Sequence, residues 1–198
     1  EGKRQVGSII KPFVYLTAFH NGIHTGTIVH DAPITVRLAD GKKWQPHNDD
    51  KKWHGSMPTY VAMARSMNIP TVKIGMRVGL NSVRDTLVSV GIDKKRIPFY
   101  PSMLLGTIEL TPFEVNQIYT SLATEGRYQD LTTLRTVIKN GKIVYERANN
   151  KGVPTLDPKD SYLTMFVMTE ATKIGTGRRI GRLFPNINIA TKTGTTND

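Results

Sequence analysis

QVGSIIKPFVYLTAF, residues 5–19, sets Lys11 three positions after Ser8 and Pro12 directly behind it. Ile9, Ile10, Phe13, Val14 and Leu16 supply apolar faces, so the stretch predicts a helix over positions 8–19. Residues three apart share a helix face, which brings the Lys11 amine within reach of the Ser8 oxygen. Pro12 has no N–H with which to bond the carbonyl of Ser8 four residues back, so the helix begins near Ser8. A hydroxyl there lies at the positive end of the helix dipole, where a developing oxyanion is favoured. Read alone, this is also a surface serine near a helix end, since Ser-x-x-Lys arises by chance in many proteins.

Two distant segments add to it. Ser66 and Asn68, in RSMNIP, lie two apart at a break between helices, which lets both point the same way from a tight connection. Lys192-Thr193-Gly194-Thr195 follows the apolar NINIA. A strand ending in Lys-Thr-Gly offers a cation and hydroxyls along one edge, and its glycine lets a second chain lie close. Singly, the first reads as a polar turn and the second as a strand running into a turn.

In this order and well separated, Ser-x-x-Lys, Ser-x-Asn and Lys-Thr-Gly match the trio common to β-lactamases and penicillin-binding proteins. The sequence resembles the penicillin-interacting serine transpeptidases. RQVGSIIKPFVYLTA, APITVRLADGKKWQPHNDD, ARSMNIPTVKIGMRVGL, MLLGTIELTPFEVNQIY and ATKTGTTND narrow this to a likeness to class A bifunctional penicillin-binding proteins of the 1B type, over nearly the whole chain. The likeness implies a mixed α/β (α+β) transpeptidase fold, with 1–198 as a partial domain holding mostly its helical part and the Lys-Thr-Gly strand. Strands of the central sheet and a membrane-anchored glycosyltransferase region would lie outside it, with the domain on the periplasmic side of a bacterial inner membrane.

The same resemblance implies a peptidoglycan D,D-transpeptidase. Ser8 would be the nucleophile and Lys11 its base, an amine whose pKa burial and a second cation, Lys192, push down. Ser66 would relay the proton to the leaving amine, and Asn68 would hold Lys11 and the substrate amide. The backbone N–H groups of Ser8 and Thr195 would form the oxyanion hole. Lys192, Thr193 and Thr195 would bind the terminal carboxylate of a D-Ala-D-Ala stem peptide, whose backbone lies along Gly194. Implied partners are stem peptides of lipid II-derived glycan strands, β-lactam antibiotics and cell-wall synthesis regulators, with no metal or organic cofactor. Thr191 departs from the small residue, often glycine, that family members carry before Lys-Thr-Gly, and it would crowd the site. Rival readings are a D,D-carboxypeptidase or serine β-lactamase, which deacylate with water, and a non-catalytic polyanion-binding scaffold.

Composition sets the outer bounds. The chain has 198 residues, 38% hydrophobic and 22% charged, enough for one domain with a sizeable core. No run approaches the roughly 18 apolar residues of a membrane span, and the polar EGKRQVGS does not read as a signal peptide. A net charge of +11 suits a polyanionic partner or surface. The basic residues are scattered, however, and no helix-turn-helix, zinc-finger or aromatic-basic signature argues for nucleic acid. Zero cysteines exclude disulfides, thiolate metal sites and a cysteine nucleophile. His20 and His24 have metal-like spacing, but Gly22 lies between them and no carboxylate triad is evident. Asp49 and Asp50, adjacent, should point apart and be solvated by Lys51 and Lys52. GTGRRIG at 175–181 is a phosphate-loop candidate without the Walker ending.

Along the chain, 20–55 reads as a long loop-rich insertion with strand-like PITVRL at 33–38. Helices are expected over 58–66, from near Pro70, between Gly79 and Gly91, over TPFEVNQIYTSLATEG, where Thr111 and Glu114 form a capping box, and over 161–173. LRTVIKNGKIVYE should be a hairpin turning at Asn140-Gly141.

Overall fold

A nine-residue run, Lys11 to Phe19, is buried without a break. A helix covered on every side belongs at the centre of a domain rather than on its surface. In the computed structural model, which describes residues 2–148 and 151–195, that helix is the hub. The elements in chain order are β1 (Arg4–Gln5), α1 (Lys11–His20), β2 (Ile28–Asp31), β3 (Val36–Arg37), β4 (Lys43–Trp44) and β5 (Gly55–Pro58), followed by α2 (Thr59–Ala64), α3 (Asn68–Val78) and α4 (Leu80–Ser89). Next come β6 (Glu109–Leu110), α5 (Pro112–Ala123), β7 (Arg127–Tyr128), β8 (Thr136–Lys139), β9 (Lys142–Glu146), β10 (Val153–Pro154), α6 (Pro158–Ile174) and α7 (Arg178–Leu183). Helices α3, α4 and α6 pack around α1, and α2 packs on α6. Phe13, Val14, Tyr15 and Ala18 are fully enclosed by this arrangement. Truncating a buried aromatic such as Phe13 to alanine should cost about 3–5 kcal/mol.

The opening stretch starts one step differently from the expected helix over 8–19. Gly7–Ile10 forms a 3-10 turn and α1 proper begins at Lys11. Pro12 is the reason. With no N–H there to take the Ser8 carbonyl, the Lys11 N–H takes it three residues back instead. The turn is pinned from outside as well. Strand β1 runs antiparallel to β6, pairing Arg4 with Leu110 and Gln5 with Glu109. The pairing continues through Val6 N–H to Ile108 O at 2.9 Å and Gly7 N–H to Gly106 O at 3.0 Å. Tyr119 on α5 donates its hydroxyl to Ile9 O at 2.8 Å.

Among the described residues the strands form five two-stranded antiparallel ladders. The stretch 20–55 holds the β3–β4 ladder and strand β2, whose partner β5 starts at its last residue and runs on to Pro58; only Val36 and Arg37 of PITVRL are in a strand. The β8–β9 hairpin turns at Asn140 (φ 51°) and Gly141 (φ 72°), the left-handed pair that a two-residue turn demands. The capping box of α5 forms, with Thr111 Oγ1 accepting from Glu114 N–H and Glu114 accepting from Thr111 N–H. Helix α6 begins three residues earlier than expected, at Pro158, because Asp157 caps it. The Lys-Thr-Gly segment, expected as a strand, finds no ladder partner among the described residues.

One glycine sets the position of the Ser8 turn. Gly106 has φ +88°, and a Cβ there would sit 1.9 Å from the Gly7 carbonyl oxygen. Gly106→Ala should therefore lower the thermal melting temperature by several degrees and push the Ser8 turn off β6, whereas Gly141→Ala, with open space around it, should lower it less. Equal melting losses in the two variants would contradict this account.

Candidate active site

Lys11 is the first residue of α1 and has no exposed surface. Its ammonium does not turn back to the Ser8 hydroxyl. Instead Nζ donates to Ser66 O at 2.6 Å, Asn68 Oδ1 at 2.6 Å and Ser66 Oγ at 3.3 Å. Ser66 occupies the tight connection between α2 and α3 at φ 57°, a left-handed conformation that costs a non-glycine residue energy and that clusters at functional sites. That backbone geometry turns both its carbonyl and its hydroxyl toward Lys11. Lys192 reaches the same hydroxyl from the far end of the chain, donating to Ser66 Oγ at 2.8 Å and to Thr193 O at 2.7 Å.

Burial lowers the basicity of both lysines, and the cation of Lys192 adds to that effect at Lys11. Burial, the larger cause, and the Lys192 cation beside it push Lys11 from 10.5 down to about 7, against an opposing pull from Asp49. Lys192 falls to about 8 by burial, again opposed by Asp49. The free amine of Lys11 is therefore within reach near neutral pH, and Lys192 holds its proton more firmly than Lys11 does. One site thus offers a proton acceptor and a cation a few ångströms apart.

Asn68 was expected beside a helix beginning near Pro70; it is instead the first residue of α3, with its amide used at both ends. Oδ1 holds Lys11, while Nδ2 donates to His47 O at 2.8 Å and Asp49 Oδ1 at 3.3 Å. Asp49 and Asp50 do point apart, Asp49 to Asn68 and Asp50 to His54, while Asp50 also accepts the backbone N–H of Lys52 at 3.0 Å. Ser8 is half-buried, and among the described residues no hydrogen bond joins its hydroxyl to Lys11. It is brought near the other segments by its neighbour, because Gly194 lies against Ile9, where a Cβ would come within 2.8 Å of Ile9 Cγ1. Thr193 Oγ1 bonds Thr176 Oγ1 at 2.8 Å, and Thr195 is exposed.

The phosphate-loop reading of GTGRRIG is corrected. Arg178–Leu183 is helix α7, and the glycines serve close packing. A Cβ on Gly175 would lie 1.9 Å from Ala64 O, which here accepts the Thr176 N–H at 3.1 Å, so α6 ends against the turn that carries Ser66. A Cβ on Gly177 would lie 2.2 Å from Thr191 Oγ1. The side chain expected to crowd the site is therefore accommodated by Gly177, while the Thr191 N–H is tied to Met168 O at 3.0 Å. A hollow of about 500 Å³ on α6 and α7, lined by Lys173, Arg178, Arg182 and Phe184 among others, shares no residue with the lysine cluster.

Sequence reasoning missed the contributions of Asn48, Asp49, Thr176 and Asp31. The polar run Asn48-Asp49-Asp50 behind Pro46, in a stretch with little hydrophobic pattern, was the available signal.

The family model of the penicillin binding protein transpeptidase domain matches residues 1–198, and the chain belongs to that family. It is 38% identical over 198 residues to penicillin-binding protein 1B of Vibrio cholerae serotype O1, covering 98% of this chain and 25% of the relative. It is also 38% identical over 205 residues to penicillin-binding protein 1B of Escherichia coli K12, covering all of this chain and 24% of the relative. The chain spans about a quarter of the length of the curated relatives it matches. The crystal structure of penicillin-binding protein 1A from Haemophilus influenzae superposes with a TM-score of 0.90 at 22% identity, over 98% of this chain and 35% of that one. An imipenem acyl-enzyme complex of penicillin-binding protein A from M. tuberculosis gives 0.85 at 19% identity, over 99% of this chain and 49% of that one. These two likenesses place the fold. Among the described residues no helix is long and apolar enough to cross a membrane.

The contact of Thr191 with Gly177 gives a double-mutant test. Gly177→Ala should destabilise the domain by about 1–3 kcal/mol. Thr191→Gly in the same chain should return most of that loss in a denaturant melt. Additive losses would show that the two residues are independent.

Proposed function

We propose that this chain is the catalytic part of a peptidoglycan D,D-transpeptidase, acting through a serine acyl-enzyme and covalently inhibited by β-lactams. The observation that carries the reading is the convergence of Lys11, Ser66, Asn68 and Lys192, drawn from three parts of the chain, into one hydrogen-bonded cluster.

In this reading the Ser8 oxygen attacks the carbonyl of the penultimate D-Ala, and its proton passes to neutral Lys11. A C–O bond forms and, as the tetrahedral intermediate collapses, the C–N bond to the terminal D-Ala breaks. Ser66 passes the proton from Lys11 to the departing amine. Its oxygen faces both lysines, and the two N–H donors it receives leave its own O–H free to point to the leaving group. The N–H groups of Ser8 and Thr195 receive the developing oxyanion. Lys192, with Thr193 and Thr195, holds the terminal carboxylate, and Gly194 leaves room for the peptide backbone. Asn68 binds the substrate amide with the hydrogen now on Asp49, the longer of its two donor contacts. The amine of a second stem peptide then attacks the ester, forming the cross-link, and its proton returns to the Ser8 oxygen.

The stem peptides of lipid II-derived glycan strands are the substrates of this proposal. The domain works on the periplasmic side of the inner membrane, anchored by sequence outside 1–198, and cell-wall synthesis regulators act on it there. The nucleophile, base, relay and oxyanion roles are all part of the same proposal, as is the reading of 1–198 as a partial domain with 20–55 inserted in it.

In the full-length protein, a labelled penicillin should form a covalent adduct that Ser8→Ala abolishes. The acylation rate should rise with pH through about 7 as Lys11 loses its proton, since the neutral amine is the acceptor. An adduct that persists in Ser8→Ala would overturn the assignment. Fast steady-state hydrolysis of a chromogenic cephalosporin would favour the β-lactamase instead.

A further inference from the structure

Asp31 ends β2 and is almost fully buried, as is Asn48 in the loop after β4. Neither belongs to the three motifs, yet they connect to the proposed site by an unbroken chain of hydrogen bonds. Asn48 Nδ2 donates to both carboxylate oxygens of Asp31, at 3.0 and 2.9 Å, and to Lys52 O at 2.8 Å. Asn48 Oδ1 accepts the N–H groups of Asn68 at 3.0 Å and Ile69 at 3.2 Å, the first two residues of α3. Asn68 in turn holds Lys11 Nζ at 2.6 Å.

The chemistry of the pair explains the arrangement. An ionised carboxylate only accepts, so it admits the NH₂ end of the Asn48 amide and refuses the carbonyl end. That fixes the amide with its oxygen toward α3. Turned round, the amide would set a donor against two N–H donors, leaving three buried donors unmatched. His54 completes the cage around Asp31, donating its backbone N–H to Asp31 Oδ2 at 2.9 Å and placing Nδ1 on the same oxygen at 2.9 Å. Asp50 holds the other ring nitrogen at 3.0 Å. Helix α3 has no side-chain cap from its own N-cap residue, Met67, so this remote amide takes that place.

We propose that Asp31 and Asn48 are positioning residues for acyl transfer: Asp31 locks the orientation of the Asn48 amide, and Asn48 fixes the start of α3 so that Asn68 meets the Lys11 amine. The proposal rests on the reading of Ser8 and Lys11 as nucleophile and base, and it adds a second requirement to that reading. The buried carboxylate sets the geometry of the amine without touching it.

The test uses the full-length protein and fluorescent penicillin, with the acylation rate constant measured across pH. Asp31→Asn, nearly isosteric, frees the Asn48 amide to turn, and Asn48→Ala removes the acceptor. Both variants should lower the plateau rate constant at least tenfold. Both should also move the acid limb of the profile to lower pH, because Asn68 Oδ1 no longer favours the charged form of Lys11 against the opposing Lys192 and beside Asp49. A role in folding alone would reduce the amount of protein that labels and leave the rate constant and limb of the labelling fraction in place, which would overturn the proposal. So would a wild-type profile in either variant. Ser8→Ala runs alongside: an adduct there means the underlying reading has failed, while its absence together with a wild-type Asp31→Asn profile means only the positioning role has failed.

Discussion

An ammonium group with no exposed surface must be answered by every atom around it, and Lys11 imposes that condition on this fold. Taking such a charge out of water costs several kcal/mol unless hydrogen bonds and a lowered pKa compensate. Here both occur. Two strong acceptors, Ser66 O and Asn68 Oδ1, bind the charged form. Burial and Lys192 push the amine to about 7, so the neutral form is within reach. A lysine left in water at 10.5 would present almost no free base at neutral pH. The buried environment thus serves the proposed chemistry at some expense to stability.

That condition explains features with no reason of their own. Ser66 keeps a left-handed backbone because its carbonyl has to face Lys11. Asn48 reaches over the start of α3 and accepts two N–H groups there. Gly175 and Gly177 bring the end of α6 against the Ser66 turn and the Thr191 side chain, which leaves Lys192 pointing at the Ser66 hydroxyl. Gly106 and Tyr119 hold the Ser8 turn from the opposite side. Close backbone approach and one buried amine therefore account for much of the local irregularity.

Local signals carried well into the structure. The capping box at Thr111 and Glu114, the Asn140-Gly141 turn and the apolar run of α1 each depend on neighbours a few residues away, so the chain spells them out. Pro12 even specifies the 3-10 start, although the chain alone suggested a helix from Ser8. The three motifs located the cluster because their residue types are distinctive. Their supports were not legible. Asn48 reaches Asn68 across twenty residues and Asp31 reaches Asn48 across seventeen, and no periodicity records such a meeting. The same holds for Thr191, whose hydroxyl looked like an obstruction until Gly177 was seen beside it. The Lys-Thr-Gly segment differs again: a strand is defined by its partner, and residues 187–195 have no ladder partner among those described.

The most direct test is to titrate the Lys11 amine itself, following its side-chain carbon-13 resonances by NMR in the folded protein, with Lys11→Arg to assign the signal. A midpoint near pH 7, moving upward in Lys192→Met as the neighbouring cation is removed, is the result expected. A midpoint close to the ordinary 10.5, indifferent to Lys192, would contradict the central claim that this fold buries a lysine in order to free its base.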